Sequence, residues 1–322
     1  MSGAILRDEH GALRPGWRIL LYWGFVAAVL LLWNVAVRVA AAAGGTTTEA
    51  LLPSGSLTRM LVGSVVMAVA ALAGARASIR WIERAGVRDF LGWRWDARGL
   101  GVFGRFFVLG AVFVSAVVLG LVLTGSVSCE VRRPDLARFA PLALVFGVGF
   151  LIASLAEEVF DRGYVFRVLA ARRPWLAVLL TSILFALGHA FEAWSAPLAL
   201  ANVFLVGCVL GVIYLRTGNL WAIWGFHFGV NVFEAVVFQF PVRGYEILAD
   251  HLFTWRLAVS ELITGGAAGL QGGVVYSAVG LALLFLVARP GRNLLFGLSY
   301  SYYRVVPDPR PHSGVDRDAL RP

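Results

Sequence analysis

Lysine is absent from the 322 residues, cysteine occurs twice, methionine three times, and charged side chains make up only 15% of the chain. Soluble domains average about 25% charged residues, so this scarcity excludes an ordinary water-soluble enzyme. The hydrophobic share of 59% and the mean hydropathy of +0.77 exclude a disordered chain as well. A polytopic membrane protein is what these figures leave. With no lysine, all 28 basic residues are arginine, and against 19 acidic ones they give a net charge of +9. A basic balance can mark a nucleic-acid binder, but here the arginines sit in short loops between apolar runs. That placement reads as orientation in a bilayer, and no nucleic-acid partner is expected. Cys129 falls in a loop and Cys208 in an apolar run, which argues against a disulfide.

The first apolar run, Ile19 to Val37, follows Arg7, Arg14 and Arg18. It exceeds the ~7–15 residues of a signal-peptide core and reads as an uncleaved span. Further runs at 59–75, 101–124, 139–157, 175–190, 196–215, 219–240 and 273–288 make about eight spans. None shows the alternation of barrel strands, and only helices satisfy their own backbone in lipid. The expected fold is therefore all-α, a polytopic membrane helix bundle over 19–288. A cytoplasmic tail precedes it at 1–18 and a basic cytoplasmic tail follows at 289–322. Arg76, Arg80, Arg84, Arg88, Arg94 and Arg98 crowd the 76–98 linker, and Arg162, Arg167, Arg172, Arg173, Arg216, Arg289 and Arg292 follow alternate spans. This pattern predicts a multi-pass protein of the cell (inner) membrane with both termini cytoplasmic. The 241–272 connection is glycine-rich but lacks the Gly-Lys-Ser/Thr end of a phosphate loop, which argues against nucleotide binding. His10, His251 and His312 lie in tails or a loop and receive no role.

Ionisable groups inside spans cost at least ~2.5–3.5 kcal/mol and are functional suspects by default. Three clusters qualify: Glu157, Glu158, Asp161 and Arg162 at the end of the fourth run, Phe185 and His189 in the fifth, His227 and Asn231 in the seventh. Phe185 and His189 share a helical face, as do His227 and Asn231 and also Glu158 and Arg162. Glu158 and Arg162 can therefore form an ion pair within one helix. Glu157 points ~100° away from Glu158 and is available as a general base. Bland readings exist for each group. A lone histidine can be a helix–helix hydrogen-bond donor, the carboxylate–arginine set an interfacial charge cluster, and Asp161 a solvated or interfacial charge. Gly207 and Gly211 are a packing pair. Depth is one difficulty: counted from Trp175, His189 lies ~21 Å in, whereas His227 counted from Asn219 lies ~12 Å in.

The ordered set EExxxR, FxxxH and HxxxN resembles the CPBP family of intramembrane proteases, the CAAX prenyl endopeptidase and bacteriocin-processing group also called Abi. The matching stretches are EEVFDRGYVF (157–166), FALGH (185–189), YLRTGNLWAIWGFH (214–227) and HFGVN (227–231). The likeness covers about 140–240, the TGG and later glycines of 264–273 also resemble the tail end of many bacterial members, and the first three spans carry none of it. It implies a hydrolytic site in which Glu157 activates a water, His189 helps to hold it, and His227 and Asn231 donate to the oxyanion. Glu158 and Arg162 would support that site. Family members are described both as metalloproteases and as metal-free glutamate-dependent enzymes. The cofactor reading is accordingly zinc or none, with Glu157, His189 and His227 as candidate ligands. There is no HExxH, and asparagine is a poor zinc ligand and a good oxyanion donor, which tilts the reading toward the metal-free scheme. The implied partner is a peptide or membrane-protein substrate within the lipid bilayer. The alternatives are a non-catalytic scaffold of the same fold that binds a partner protein, and a proton-coupled transporter using the same ionisable groups.

Overall fold

Helix starts coincide with residues suited to the position. Ser56, Asp96, Asp135 and Asn219 are N-caps whose side chains accept from backbone N–H groups two or three residues on. Pro15, Pro174 and Pro197 occupy first turns, where no N–H is needed. In a computed structural model, which describes residues 6–8, 11–53, 56–133, 135–190, 196–241 and 252–289, these signals open the principal helices, all but the fifth and the ninth. They are α1 (Pro15–Ala43), α2 (Leu57–Ser78), α3 (Ala97–Leu123), α4 (Leu136–Glu158), α5 (Tyr164–Ala170), α6 (Pro174–Gly188), α7 (Pro197–Thr217), α8 (Leu220–Val232) and α9 (Val274–Ala288). Three π turns extend them: Ile79–Glu83 after α2, Val159–Gly163 joining α4 to α5, and Phe233–Val237 after α8.

The chain is an all-α polytopic membrane bundle, as expected. Among the described residues, six helices are long and apolar enough to cross a membrane, while α6 and α9 are shorter apolar helices of 15 residues each. The expectation of about eight spans is met by eight apolar segments, of which two fall short of spanning length. The tail at 290–322, His10, His251 and His312 lie outside the described residues.

Two further expectations are corrected. The fourth run does not end at 157 but continues as one helical segment from Leu136 to Ala170. In consequence Asp161 is buried instead of solvated or interfacial, and Arg162 and Arg167 are buried too. These two arginines are structural and carry no weight in orientation. Arg167 donates to the Tyr214 hydroxyl at 3.0 Å and to the Gly218 carbonyl at 2.8 Å. The second correction is a two-stranded antiparallel ribbon, β1 (Val127–Val131) with β2 (Phe253–Leu257), which sets Cys129 opposite Trp255. It ties the loop after α3 to the connection before α9. Both cysteines are free thiols.

Helix α8 is the most enclosed span and packs against α3, α4 and α7. Its contact with α3 is backbone on backbone. A Cβ at Gly225 or Gly229 would stand 2.3 or 2.4 Å from the carbonyl oxygens of Phe103 or Phe107, and one at Gly110 would stand 2.3 Å from that of Phe226. Gly207 and Gly211 play the packing part their spacing predicts, seating α7 on Ser182 and Val178 of α6. Helices α1 and α2 pack on each other at the periphery, and α2 also lies against α4. The centre of the bundle is thus the helix that carries His227 and Asn231.

Candidate active site

At the end of α4, Glu158 is fully buried and accepts from Arg162 Nη1 on both carboxylate oxygens at 2.9 Å. The pairing predicted from four-residue spacing survives the π turn in which Arg162 sits. It also does more than neutralise a charge. Glu158 Oε1 lies 2.8 Å from His227 Nδ1 on α8. A carboxylate paired to arginine can only accept, so Nδ1 carries the proton and the ring orientation is fixed. His227 Nε2 is then turned toward the neighbouring carboxylate, with Glu157 Oε2 at 3.7 Å, beyond a direct hydrogen bond. The two adjacent glutamates thus address the two nitrogens of one histidine.

Phe185 joins this cluster to α6. Arg162 lies over its ring at 4.6 Å from the centroid, and the same ring packs edge-on against His189 at 4.8 Å and His227 at 5.7 Å. His189 caps the C-terminus of α6, and its Nδ1 stands 2.7 Å from the Phe185 carbonyl oxygen. A carbonyl accepts only, so Nδ1 is again the protonated nitrogen and Nε2 carries the lone pair. The ring contact between Phe185 and His227 also resolves the depth discrepancy. Counting from helix starts presumes that both helices begin at one level and stand upright, and they do not.

A cavity of about 30 Å³ opens between these elements, lined by His189, His227, Asn231, Gln271 and Tyr276 among apolar side chains. It has room for about one water, given that a molecule needs roughly 10–15 Å³ of such volume and occupies about 30 Å³ in the liquid. Asn231, one turn beyond His227, shares this lining; Glu157 lies beside His227 and is not part of it. Three expected site residues therefore meet at one cavity, and the fourth adjoins it through His227.

Among the described residues, no three side chains of histidine, cysteine, aspartate or glutamate converge in a way that could hold a metal ion. Glu157, His189 and His227 are not brought together as such a group. Sequence reasoning overlooked Glu234 and Asn202, which are buried in α8's extension and in α7. The rule that singled out Glu157 applies equally to them, since both are polar groups inside apolar runs. It also overlooked Gln271, which stands among the glycines of 264–273 that resemble the family's tail end.

Residues 138–233 match the family described as Rce1-like, type II CAAX prenyl endopeptidase. That stretch contains the EEVFDR, FALGH and HFGVN segments, and over it the resemblance to the CPBP membrane proteases is borne out. The chain is also 38% identical over 74 residues to an uncharacterized 24.3 kDa protein of Escherichia coli, a stretch covering 22% of this chain and 33% of that protein. The chain thus spans about a third of the length of the curated relative it matches. No solved structure matches it.

Proposed function

We propose that the chain is an intramembrane endopeptidase that hydrolyses a peptide bond of a peptide or membrane-protein substrate. One observation carries the reading: His189 of α6 and His227 and Asn231 of α8 line one small cavity inside an apolar bundle, and the α4 carboxylate Glu157 adjoins it through His227. Such groups are too costly in a membrane to be incidental. Glu157 takes a proton from water as its oxygen attacks the scissile carbonyl carbon. His189 Nε2 accepts the water's other O–H and orients it. The carbonyl's π electrons move onto its oxygen, which receives hydrogen bonds from Asn231 Nδ2 and His227 Nε2. Donation from Nε2 requires the ring to hold both protons, since Nδ1 already gives its own to Glu158. When the intermediate collapses, the C–N bond breaks and Glu157 returns its proton to the leaving amine. The products are a carboxylic acid and an amine, which become carboxylate and ammonium as the acid's proton passes to the amine.

The test is cleavage of a synthetic peptide library by the chain purified in detergent, with metal analysis of the same sample and with Glu157→Gln alongside. The amide is nearly isosteric but cannot take the proton of the attacking water. We expect wild-type cleavage and a folded Glu157→Gln slowed by about 10²–10⁴-fold. If Glu157→Gln cleaves like the wild type, the assignment of Glu157 as the base fails; if the wild type cleaves nothing, the hydrolytic reading fails and a non-catalytic scaffold of the same fold replaces it.

A further inference from the structure

The segment from Thr264 to Gly273 is a tightly folded loop beside the cavity. Gly265 and Gly269 have φ of +93° and +75°. A Cβ on either would stand under 2 Å from a carbonyl oxygen, that of Gly269 at 1.7 Å and that of Pro241 at 1.9 Å. The loop is pinned from two sides. Asn202 of α7 donates Nδ2 to the carbonyls of Gln271 at 2.7 Å and Gly273 at 3.1 Å, while its Oδ1 accepts from Ser277 at 2.7 Å. Glu234, three residues beyond Asn231, is fully buried against the loop's other side. Through Asn202 the loop's backbone carbonyls alone anchor it.

The Gln271 side chain adds something the anchoring does not need. Its Nε2 donates to Glu234 Oε2 at 3.2 Å, and the residue also lines the cavity together with His189, His227 and Asn231. Because the carboxylate accepts, it selects which end of the carboxamide faces it. Oε1 is the group left to offer the cavity. An oriented amide oxygen beside a hydrolytic site is suited to one partner in particular, the N–H of a polypeptide backbone.

We propose that Gln271 is a substrate-binding residue whose Oε1 accepts a hydrogen bond from a backbone N–H next to the scissile bond, with Glu234 as the positioning residue that holds the carboxamide. This rests on the reading of the site as a protease. It assigns the recognition to the main chain of the substrate, so side-chain preference must come from elsewhere in the cleft.

The experiment takes one internally quenched peptide cleaved by the wild-type chain and a set of its derivatives, each N-methylated at a single backbone nitrogen. Wild type and Gln271→Met are compared on all of them. Methionine keeps the length and volume but has no amide. We expect one position at which N-methylation raises KM about tenfold in the wild type and less than about twofold in Gln271→Met. With the parent peptide, Gln271→Met itself should raise KM about tenfold and leave kcat within about threefold. A loop-packing role would not produce that coupling to a single nitrogen. If Gln271→Met does not fold, Gln271→Asn keeps the amide one methylene further back and should show the same coupling in reduced size. N-methyl penalties identical in wild type and variant overturn the Gln271 assignment and leave the protease reading intact. A wild-type chain that cleaves no peptide removes both.

Discussion

Replacing Glu158 by glutamine separates the two tasks that the structure gives this carboxylate. It accepts twice from Arg162 and once from His227, and none of the three groups is more than slightly exposed. Removing its charge leaves the Arg162 guanidinium with the face of Phe185 on one side. Its Nε and Nη2 have no hydrogen-bond partner among the described residues that could compensate. Breaking a buried pair in this way costs about 3–5 kcal/mol, and a buried hydrogen bond to a charged group is worth about 1.5–3 kcal/mol. Arg162 and His227 share Oε1, so the two figures overlap, and the expected loss is about 3–5 kcal/mol in total. A paired replacement, Glu158→Met with Arg162→Met, exchanges the ion pair for apolar volume and should recover most of that stability. It should not recover activity, because His227 has lost the partner that fixes its Nδ1 proton and ring orientation. Reversible unfolding in mixed detergent–SDS micelles measures the first quantity and peptide cleavage the second. A Glu158→Gln chain as stable as wild type would refute the burial argument. A double variant that regains both stability and cleavage would show that Glu158 acts on Arg162 alone.

Asn231→Ala should lower kcat by about 10²–10³ with little change in melting temperature, as the removal of one oxyanion donor does elsewhere; unchanged kcat in the purified variant counts against the donor role. Gly229→Ala places a methyl against the Phe107 carbonyl and should destabilise the bundle by about 1–3 kcal/mol, read by the same SDS unfolding; a neutral result would mean that α3 and α8 can part freely. The exposed arginines of the 84–98 segment predict that it faces the cytoplasm, so a cysteine placed at Arg88 in a chain lacking Cys129 and Cys208 should resist impermeant thiol reagents in intact cells. Prompt labelling there reverses the topology.

The parts of the site legible in the sequence are those set by spacing within one helix. Glu158 and Arg162, Phe185 and His189, and His227 and Asn231 each lie four apart, and a helix of 3.6 residues per turn decides their relation without any tertiary knowledge. What could not be read is the meeting of helices. The bond from His227 to Glu158 joins residues 69 apart, and nothing in either segment names the other. Asp161 looked like an interfacial charge because a run of apolar residues ends before it. The helix in fact continues through it, and Glu158, Arg162 and Arg167 of the same segment find partners inside the protein and need not reach water. The ribbon of β1 and β2 pairs two five-residue strands from distant loops, too short to stand out beside the spans. Glu234 and Asn202 were legible as polar residues in apolar runs, but their common partner, the loop around Gln271, was not.

The spans without any recognisable motif turn out to carry the geometry of the spans that have one. Tyr22 of α1, fully buried, donates its hydroxyl to the carbonyl oxygens of Val159 at 3.3 Å and Phe160 at 3.2 Å. These are carbonyls of the π turn, where the α-helical ladder is interrupted and its acceptors need other donors. A second tie runs nearby: Arg18 pairs with the buried Glu83 after α2, and Glu83 in turn accepts from the Tyr164 hydroxyl at 2.6 Å. The π turn that presents Arg162 to Glu158 is therefore held between α1 and α2. From the other side, the bare glycine contacts of α8 with α3 fix how close His227 approaches it. A short motif can set the relation of groups within one helix, but the π turn that carries Arg162 and the seating of α8 are held by helices outside it. The family match lies at 138–233, while the contacts around the candidate site draw on residues from Arg18 to Gln271.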